Sequence, residues 1–428
     1  MHKIWCLLFT LVFASAALVA SPEDPGNGGE EEFEVAETAF HHISNTNAFH
    51  VFGDFYLPLP VILYTPETGE WVTGMSSMFE AHHHGNGTKA VDGFVLIHGE
   101  IKRILDPKFP MGVVDLGDDV KVGHQLINPN VPESLEDGYH EDERSGSATG
   151  NEPDEKMEDM VTLTTNGNTY LVEDKTYWDG NVLGGGVSSF IDFSLTKNVF
   201  TMIVTSILLF LIFFGMARRY KKHGVAAPKG IQSLLEPIVV FMRDEVAEPF
   251  LHHKADKYLP FILTVFFFIL GLNLIGQIPF FPGSGNVTGN LAVTAVLAIF
   301  AFLVVNLSGN RHYWGHILWM PGVPWWVKVF VLTPVEVAGV FIKPFTLMLR
   351  LFANITAGHI VIIAFVGLIF IFGGSGDSVP GSIAGIIAAV PLTLFMMSIE
   401  LLVAFIQAFV FALLTASYIG AAVEEAHH

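Results

Sequence analysis

Residues 343–361, KPFTLMLRLFANITAGHIV, place one guanidinium, Arg350, inside a run that otherwise suits the interior of a bilayer. A charged side chain at that depth costs roughly 2.5–3.5 kcal/mol on insertion scales. Arginine does not titrate in proteins, so its chemistry here is that of a fixed positive charge. Snorkelling to a headgroup suits the ends of a helix, and Arg350 lies well inside the segment. The position therefore reads as a functional charge. His359, nine residues on, and Glu400 supply groups that exchange protons, and Asn354 and Gln407 add uncharged polar groups. Glu336 is one of three acidic residues between Val335 and Val423; the others are Asp377 and Glu400.

The two segments that carry these groups are long and apolar. Residues 335–371, as one helix rising 1.5 Å per residue, would extend about 55 Å, and residues 382–423 more than 60 Å. A hydrocarbon core of ~30 Å accommodates them only if they lean far beyond the usual tilt of ~20°. The expectation is a steeply tilted antiparallel hairpin, with GGSGDSVPGS at 373–382 as its outer turn. Residues at one depth in such a hairpin share an index sum, which pairs Arg350 with Gln407 and His359 with Glu400. Two polar layers result. A carboxyl and an imidazole at one level shift each other's proton affinity and can relay protons near neutral pH. Asn354 shares the face of Arg350, whereas His359 is turned by about half a revolution. Thr333, Pro334 and Glu336 fit N-cap, N1 and N3 of a capping box and mark the start of the first long helix.

Three further spans precede the hairpin, at about 198–217, 258–281 and 287–307. Arg218, Arg219, Lys221 and Lys222 follow the first of these at once, so that end is cytoplasmic by the positive-inside rule. Residues 230–251 mix apolar pairs with Glu236, Arg243, Asp244, Glu245 and Glu248, as an amphipathic interfacial helix does. Arg311 and Lys328 mark the inner side again, which leaves the C-terminus in the cytoplasm.

Charge sets the boundary between the membrane part and the rest. Of the 428 residues, 51% are hydrophobic and only 15% charged, yet the net charge is −20. Residues 21–197 hold 32 acidic and 9 basic residues, a balance of −23, whereas residues 198–428 balance to +2. Residues 1–20, with Lys3, an apolar stretch from Ile4 and small residues at Ala14, Ser15, Ala16 and Ala20, read as a signal peptide. That assignment puts the acidic domain on the far side of the membrane. Cys6, the single cysteine, lies inside it, so the mature chain is expected to have no disulfide and no cysteine metal site.

The acidic domain has strand-like runs in AFHVFGDFYLPLPVILYT and GFVLIHGEIKRIL, and Asn166-Gly167 inside VTLTTNGNTYLV signals a hairpin. A small β-rich domain is predicted, with residues 133–159 as a disordered acidic loop. His82, His83 and His84 read as an exposed tract and not as a metal site, since no carboxylate partner is spaced to join them. The nine histidines and the −23 balance suggest a proton-gathering surface; a spacer or assembly contact is the plainer expectation.

Taken together, the predicted fold is that of an α-helical polytopic membrane protein with about five transmembrane helices and a β-rich extracytoplasmic N-terminal domain. A voltage sensor needs arginines repeated at every third position, and Arg350 stands alone. A phosphate-binding GxxxxGK[ST] loop is absent, which argues against an ATP-hydrolysing site. An ion channel or secondary transporter with a buried Arg/His/Glu relay is the alternative, although transporters usually carry internal repeats.

The stretches PVEVAGVFIKPFTLMLRLFANITAGH and IELLVAFIQAFVFALLTASYI resemble subunit a of the membrane sector of F-type ATP synthases, and the likeness covers about residues 198–425. The resemblance implies that Arg350 faces the rotating ring of c subunits, with Asn354 and Gln407 as its polar companions. His359 and Glu400 match the outer half-channel pair, and Glu336 the acid of the inner half-channel. It also implies peripheral-stalk b subunits and the lipid bilayer as partners, a bacterial inner-membrane location, and neither cofactor, metal nor nucleic acid.

Overall fold

The computed structural model describes residues 45–52, 55–82, 86–117, 120–127, 158–165, 167–174, 188–224, 227–278, 285–318, 324–374 and 378–423. The expected signal peptide at 1–20, residues 133–157 of the loop predicted at 133–159, His83, His84 and Asp377 lie outside the described residues; Glu158 and Asp159 are not loop but open the strand Glu158–Thr165, paired with Ile127 and Leu126. Two compact units divide the chain, one formed chiefly by Tyr56–Leu195 and the other running from Thr196 onward.

In the first unit a seven-stranded antiparallel sheet runs, in spatial order, Val113–Asp115, Lys89–Val91, Phe94–Ile97, Glu100–Ile104, Asn168–Glu173, Glu158–Thr165 and Lys121–Ile127. A second sheet pairs Ile191–Asp192 and Glu70–Met75 on either side of Pro60–Thr65. Strand alternation decides how the core divides. Val95 and Ile97 enter one apolar cluster with Leu163 and Val172, while Phe94 and Leu96 enter another with Val61, Leu63 and Phe190. The GFVLIHGEIKRIL run becomes two strands joined at His98-Gly99. Both turn residues have positive φ, +50° and +77°, as a tight hairpin turn with the right twist requires. Thr165 pairs with Asn168, so the second predicted hairpin also turns on two residues, with Gly167 at φ +78°.

The second unit is helical: α1 (Lys197–His223), α2 (Ile231–Phe241), α3 (Ala255–Gly276), α4 (Leu291–Ser308), α5 (Arg311–Leu318), α6 (Thr333–Gly373) and α7 (Val379–Val423). Among the described residues, five helical stretches are long and apolar enough to cross a membrane. Their outer faces carry large apolar side chains with no protein cover, such as Ile207, Phe210 and Leu211 on α1 and Ile387 and Phe395 on α7. In water such a surface would be an aggregation hazard; in lipid it is solvated. The inner face of α7 instead repeats small residues at every fourth position, Ala404, Ala408, Ala412, Ala416 and Gly420, all buried. Small side chains let helices approach closely where no hydrophobic effect drives them together. The final carbonyl of α7, on Val423, accepts from Lys254 Nζ at 2.9 Å and Asn310 Nδ2 at 3.0 Å, which satisfies a group that the helix cannot pair itself.

The first long helix does not begin at a capping box. Leu332, ahead of Thr333, is already helical (φ −72°, ψ −51°), and helix runs back to Trp325 through a π turn at Lys328–Leu332. The Thr333 hydroxyl donates to Leu318 O, the last carbonyl of α5, at 3.1 Å and caps no N–H of α6. Pro334 explains the π turn: its ring lacks an N–H and crowds the carbonyl four residues back, Phe330, which the wider turn displaces. The same device recurs in the 230–251 stretch, where a π turn at Met242–Ala247 precedes Pro249.

Candidate functional site

The helices α6 and α7 run antiparallel, and two glycines record how closely they pack. A Cβ on Gly385 would lie 2.9 Å from Ile369 Cα, and a Cβ on Gly358 would lie 3.1 Å from Glu400 Oε1. The absence of a side chain at 358 is what lets the Glu400 carboxyl rest against the α6 backbone. Next to it, His359 Nδ1 lies 3.7 Å from Glu400 Oε1. Glu400 is 4% exposed, and its Oε1 has no hydrogen-bond partner among the described residues. A carboxyl oxygen buried in this way calls for a proton, an ordered water or both.

Arg350 and Gln407 are not joined in the same manner. Gln407 is buried on the inner face of α7 with Glu400, seven residues or about two turns away. Arg350 lies on the outer face of α6, exposed together with Thr346, Leu349, Ala353, Asn354 and Ala357. Among the described residues it has neither an ion-pair nor a hydrogen-bond partner. The helical period explains the split: Leu347, Leu351 and Ile355 take the inward stripe, and the four-residue spacing of Arg350 and Asn354 carries both to the other side. A charge that costs several kcal/mol in hydrocarbon is thus presented to whatever covers this face of the chain.

At the opposite end of α6, Glu336 is half-buried, and its charge reaches Tyr313 on α5. Burial first, and then the Glu336 charge, raise the Tyr313 phenol above its ordinary value. Beside it a small cavity of about 30 Å³, room for roughly one water, is lined in part by Asn306, Tyr313, Lys343 and Tyr418. Lys343 Nζ sits 5.1 Å from the centre of the Tyr418 ring, a cation–π contact. Glu336 therefore lies apart from the His359–Glu400 pair, with a little over half the length of α6 between Glu336 and His359.

Several polar residues escaped the sequence reading. Lys197, Asn198, Thr201 and Thr205 are all buried along one side of α1. Asn273 on α3 accepts from the Thr288 hydroxyl at 2.7 Å and donates to Ala404 O, one turn from Glu400, at 3.3 Å. The Thr356 hydroxyl, three residues before His359, donates to Gly289 O at 3.4 Å. For α1 the signal was present as an i, i+4 polar spacing. For the others it was not, because Asn273 and Thr288 gain meaning only when their helices meet.

These features define a class: an α-helical polytopic membrane protein that sets a buried carboxyl beside a part-buried imidazole between two long helices and turns a fixed cation outward from one of them. A family model described as ATP synthase A chain matches residues 199–420. The ATP synthase subunit a of Chloroherpeton thalassium is 44% identical over 240 residues, which cover 55% of this chain and 69% of that protein. Those of Anaeromyxobacter sp. and Myxococcus xanthus are each 39% identical, over 58% of this chain and over 58% and 79% of their own lengths. The chain belongs to the ATP synthase A chain family, as a multi-pass membrane member of it. Residues 38–111 match a second model, described as Domain of unknown function (DUF8433).

Proposed function

We propose that this chain is the proton-conducting stator subunit of an ATP synthase membrane sector in a bacterial inner membrane. Two offset half-channels lead protons to and from carboxyls on a ring of c subunits. The observation that carries this reading is Arg350, an exposed cation at mid-helix, without a partner among the described residues, on the face that shares Asn354 and small side chains. A ring covering that face would bring its carboxyls past Arg350 one at a time. A nearby cation favours the ionised carboxylate, so each ring group gives up its proton there. The same charge repels protons that would leak directly between the half-channels.

Protons enter from the outer side through His359 and Glu400, whose 3.7 Å separation a small side-chain movement closes to hydrogen-bond distance. They leave toward the cytoplasm past Glu336, with Asn354 and Gln407 as polar companions of Arg350. Each proton crossing gains ~2.3 kcal/mol per 100 mV of membrane potential, and passage by way of the ring turns that energy into rotation. ATP forms on other subunits, and peripheral-stalk b subunits hold this chain against the torque. The acidic N-terminal domain faces the periplasm as a spacer or assembly contact, and the C-terminus lies in the cytoplasm.

The test is Arg350→Ala in the whole complex, reconstituted into vesicles. ATP synthesis driven by a proton gradient should fall at least a hundredfold while the chain still co-purifies with the ring, because an exposed, unpartnered side chain contributes little to folding. Coupled synthesis at the wild-type rate would refute the assignment.

A further inference from the structure

An antiparallel sheet that covers a core on one side ordinarily turns polar side chains to water on the other. The three-stranded sheet of the first unit does not. Its inner side gives Val61 and Leu63, with the neighbouring Phe190, to an apolar cluster, and its outer side is apolar as well. Tyr64 pairs with Trp71 on one neighbouring strand and with Ile191 on the other, and Ile62 pairs with Thr73. Strand alternation therefore puts Ile62, Tyr64, Trp71, Met75, Ile191 and Phe193 on one face. Trp71 and Phe193 are each 57% exposed, and Ile62, Met75 and Ile191 are exposed with them. The rings form a strip, with centroids 4.6 Å apart for Tyr64 and Trp71 and 6.1 Å apart for Trp71 and Phe193. None of the strand positions on this face is charged; the acidic Glu67 lies in the turn beyond them. An uncovered patch of this kind marks a surface made for contact.

Continuity with a lipid-covered surface says what occupies it. The Phe193 N–H donates to Ile62 O at 2.8 Å and the Leu195 N–H to Pro60 O at 2.9 Å, so the sheet stays paired to within two residues of Lys197, where α1 begins. Four residues of chain from Phe193 to Lys197 span at most ~14 Å. From Ile203 onward α1 turns large apolar side chains to lipid. The apolar face is thus tied to the bilayer surface by the shortest of tethers, and its acidic turn lies at the end of the strands away from that junction. The rings of Trp and Tyr, apolar with one polar edge, collect at the headgroup level of membranes. The balance of −23 over residues 21–197 offers no electrostatic attraction to anionic lipid, so any hold on the bilayer must come from uncharged rings. We infer that this face of the three-stranded sheet rests on the headgroup layer of the leaflet at which α1 begins, with Tyr64, Trp71 and Phe193 as its anchors. The occupant of the patch is the bilayer itself. The inference goes beyond the proton-conducting reading and holds on whichever side of the membrane the domain stands.

The experiment uses the whole complex in vesicles of phosphatidylcholine and phosphatidylglycerol. Cys6→Ser removes the natural cysteine of this chain, and a nitroxide is attached at Thr73→Cys, in the middle of the face. Lys108→Cys, exposed and outside the patch, serves as the aqueous control, and the spectrum of the Cys6→Ser parent is subtracted from both. Collisions with oxygen, which dissolves in lipid, are compared with collisions with a water-soluble nickel chelate. The oxygen-to-nickel ratio at 73 should exceed that at 108 by roughly threefold or more, as for a side chain at headgroup depth. Equal ratios at the two sites would overturn the inference, since the patch would then face water. So would a probe at 73 shielded from both reagents, the mark of a protein cover, whether a second copy, another subunit or another segment of this chain. Met75→Cys, exposed on the same face, repeats the measurement if Thr73→Cys does not assemble. The readout does not involve proton transport, so its failure leaves the test by Arg350→Ala untouched.

Discussion

Gly358 offers the sharpest perturbation of the buried pair, because the change is one methyl group and its neighbours are known. In Gly358→Ala the new carbon would lie 3.1 Å from Glu400 Oε1, 3.3 Å from Cδ and 3.5 Å from Cγ. Relief requires the carboxyl to retreat by a few tenths of an ångström, and α7 cannot follow because its small-residue face is packed behind it. Overpacking of this kind costs about 1–3 kcal/mol, but alanine is favoured over glycine inside a helix by about 1 kcal/mol. The net effect on stability is expected to be small. Function is another matter, since displacement of a reacting group by ~1 Å can cost a hundredfold in rate. A retreat of a few tenths should slow gradient-driven ATP synthesis roughly tenfold. The assay compares synthesis rates in proteoliposomes with the thermal midpoint of the purified complex: the rate should fall while the midpoint moves by no more than a few degrees. Full-rate synthesis in Gly358→Ala would refute the reasoning, for it would mean that contact between Glu400 and α6 is irrelevant to proton transfer.

Two further substitutions probe the same region. Glu400→Gln removes the exchangeable carboxyl while keeping its shape, and should lower proton-driven synthesis at least tenfold, a modest share of what general acid–base groups supply, with the chain still recovered with the ring; passive proton flux through the membrane sector reports it. Asn273→Leu strands the Thr288 hydroxyl and removes a bond to Ala404 O, so a stability loss of about 1–3 kcal/mol is expected, read as a lowered thermal midpoint of the purified complex.

Much of this was legible from order and composition alone. A 41-residue and a 45-residue helix announce themselves by unbroken apolar length, since only internally hydrogen-bonded segments survive in lipid. The facing of His359 and Glu400 followed from counting along an antiparallel hairpin, because a rigid rise per residue converts sequence distance into depth. The β unit was foretold where turn chemistry is local, as at residue 167, whose positive φ glycine accepts cheaply. The start of α6 was misread for a related reason: Thr-Pro-x-Glu is a local signature, yet the helix had already begun eight residues earlier at Trp325, and a π turn absorbed the proline.

By itself the sequence determined which residues could carry charge or protons and at what depth, because types and spacings are properties of one strand of chain. Only the tertiary structure decided which of them meet. Arg350 and Glu400 are equally polar in the sequence, but helix rotation sends one outward and packing encloses the other. Asn273 stands 131 residues from Ala404 along the chain and yet donates to its carbonyl at 3.3 Å. Electrostatic influence falls with distance through space and is indifferent to distance along the backbone.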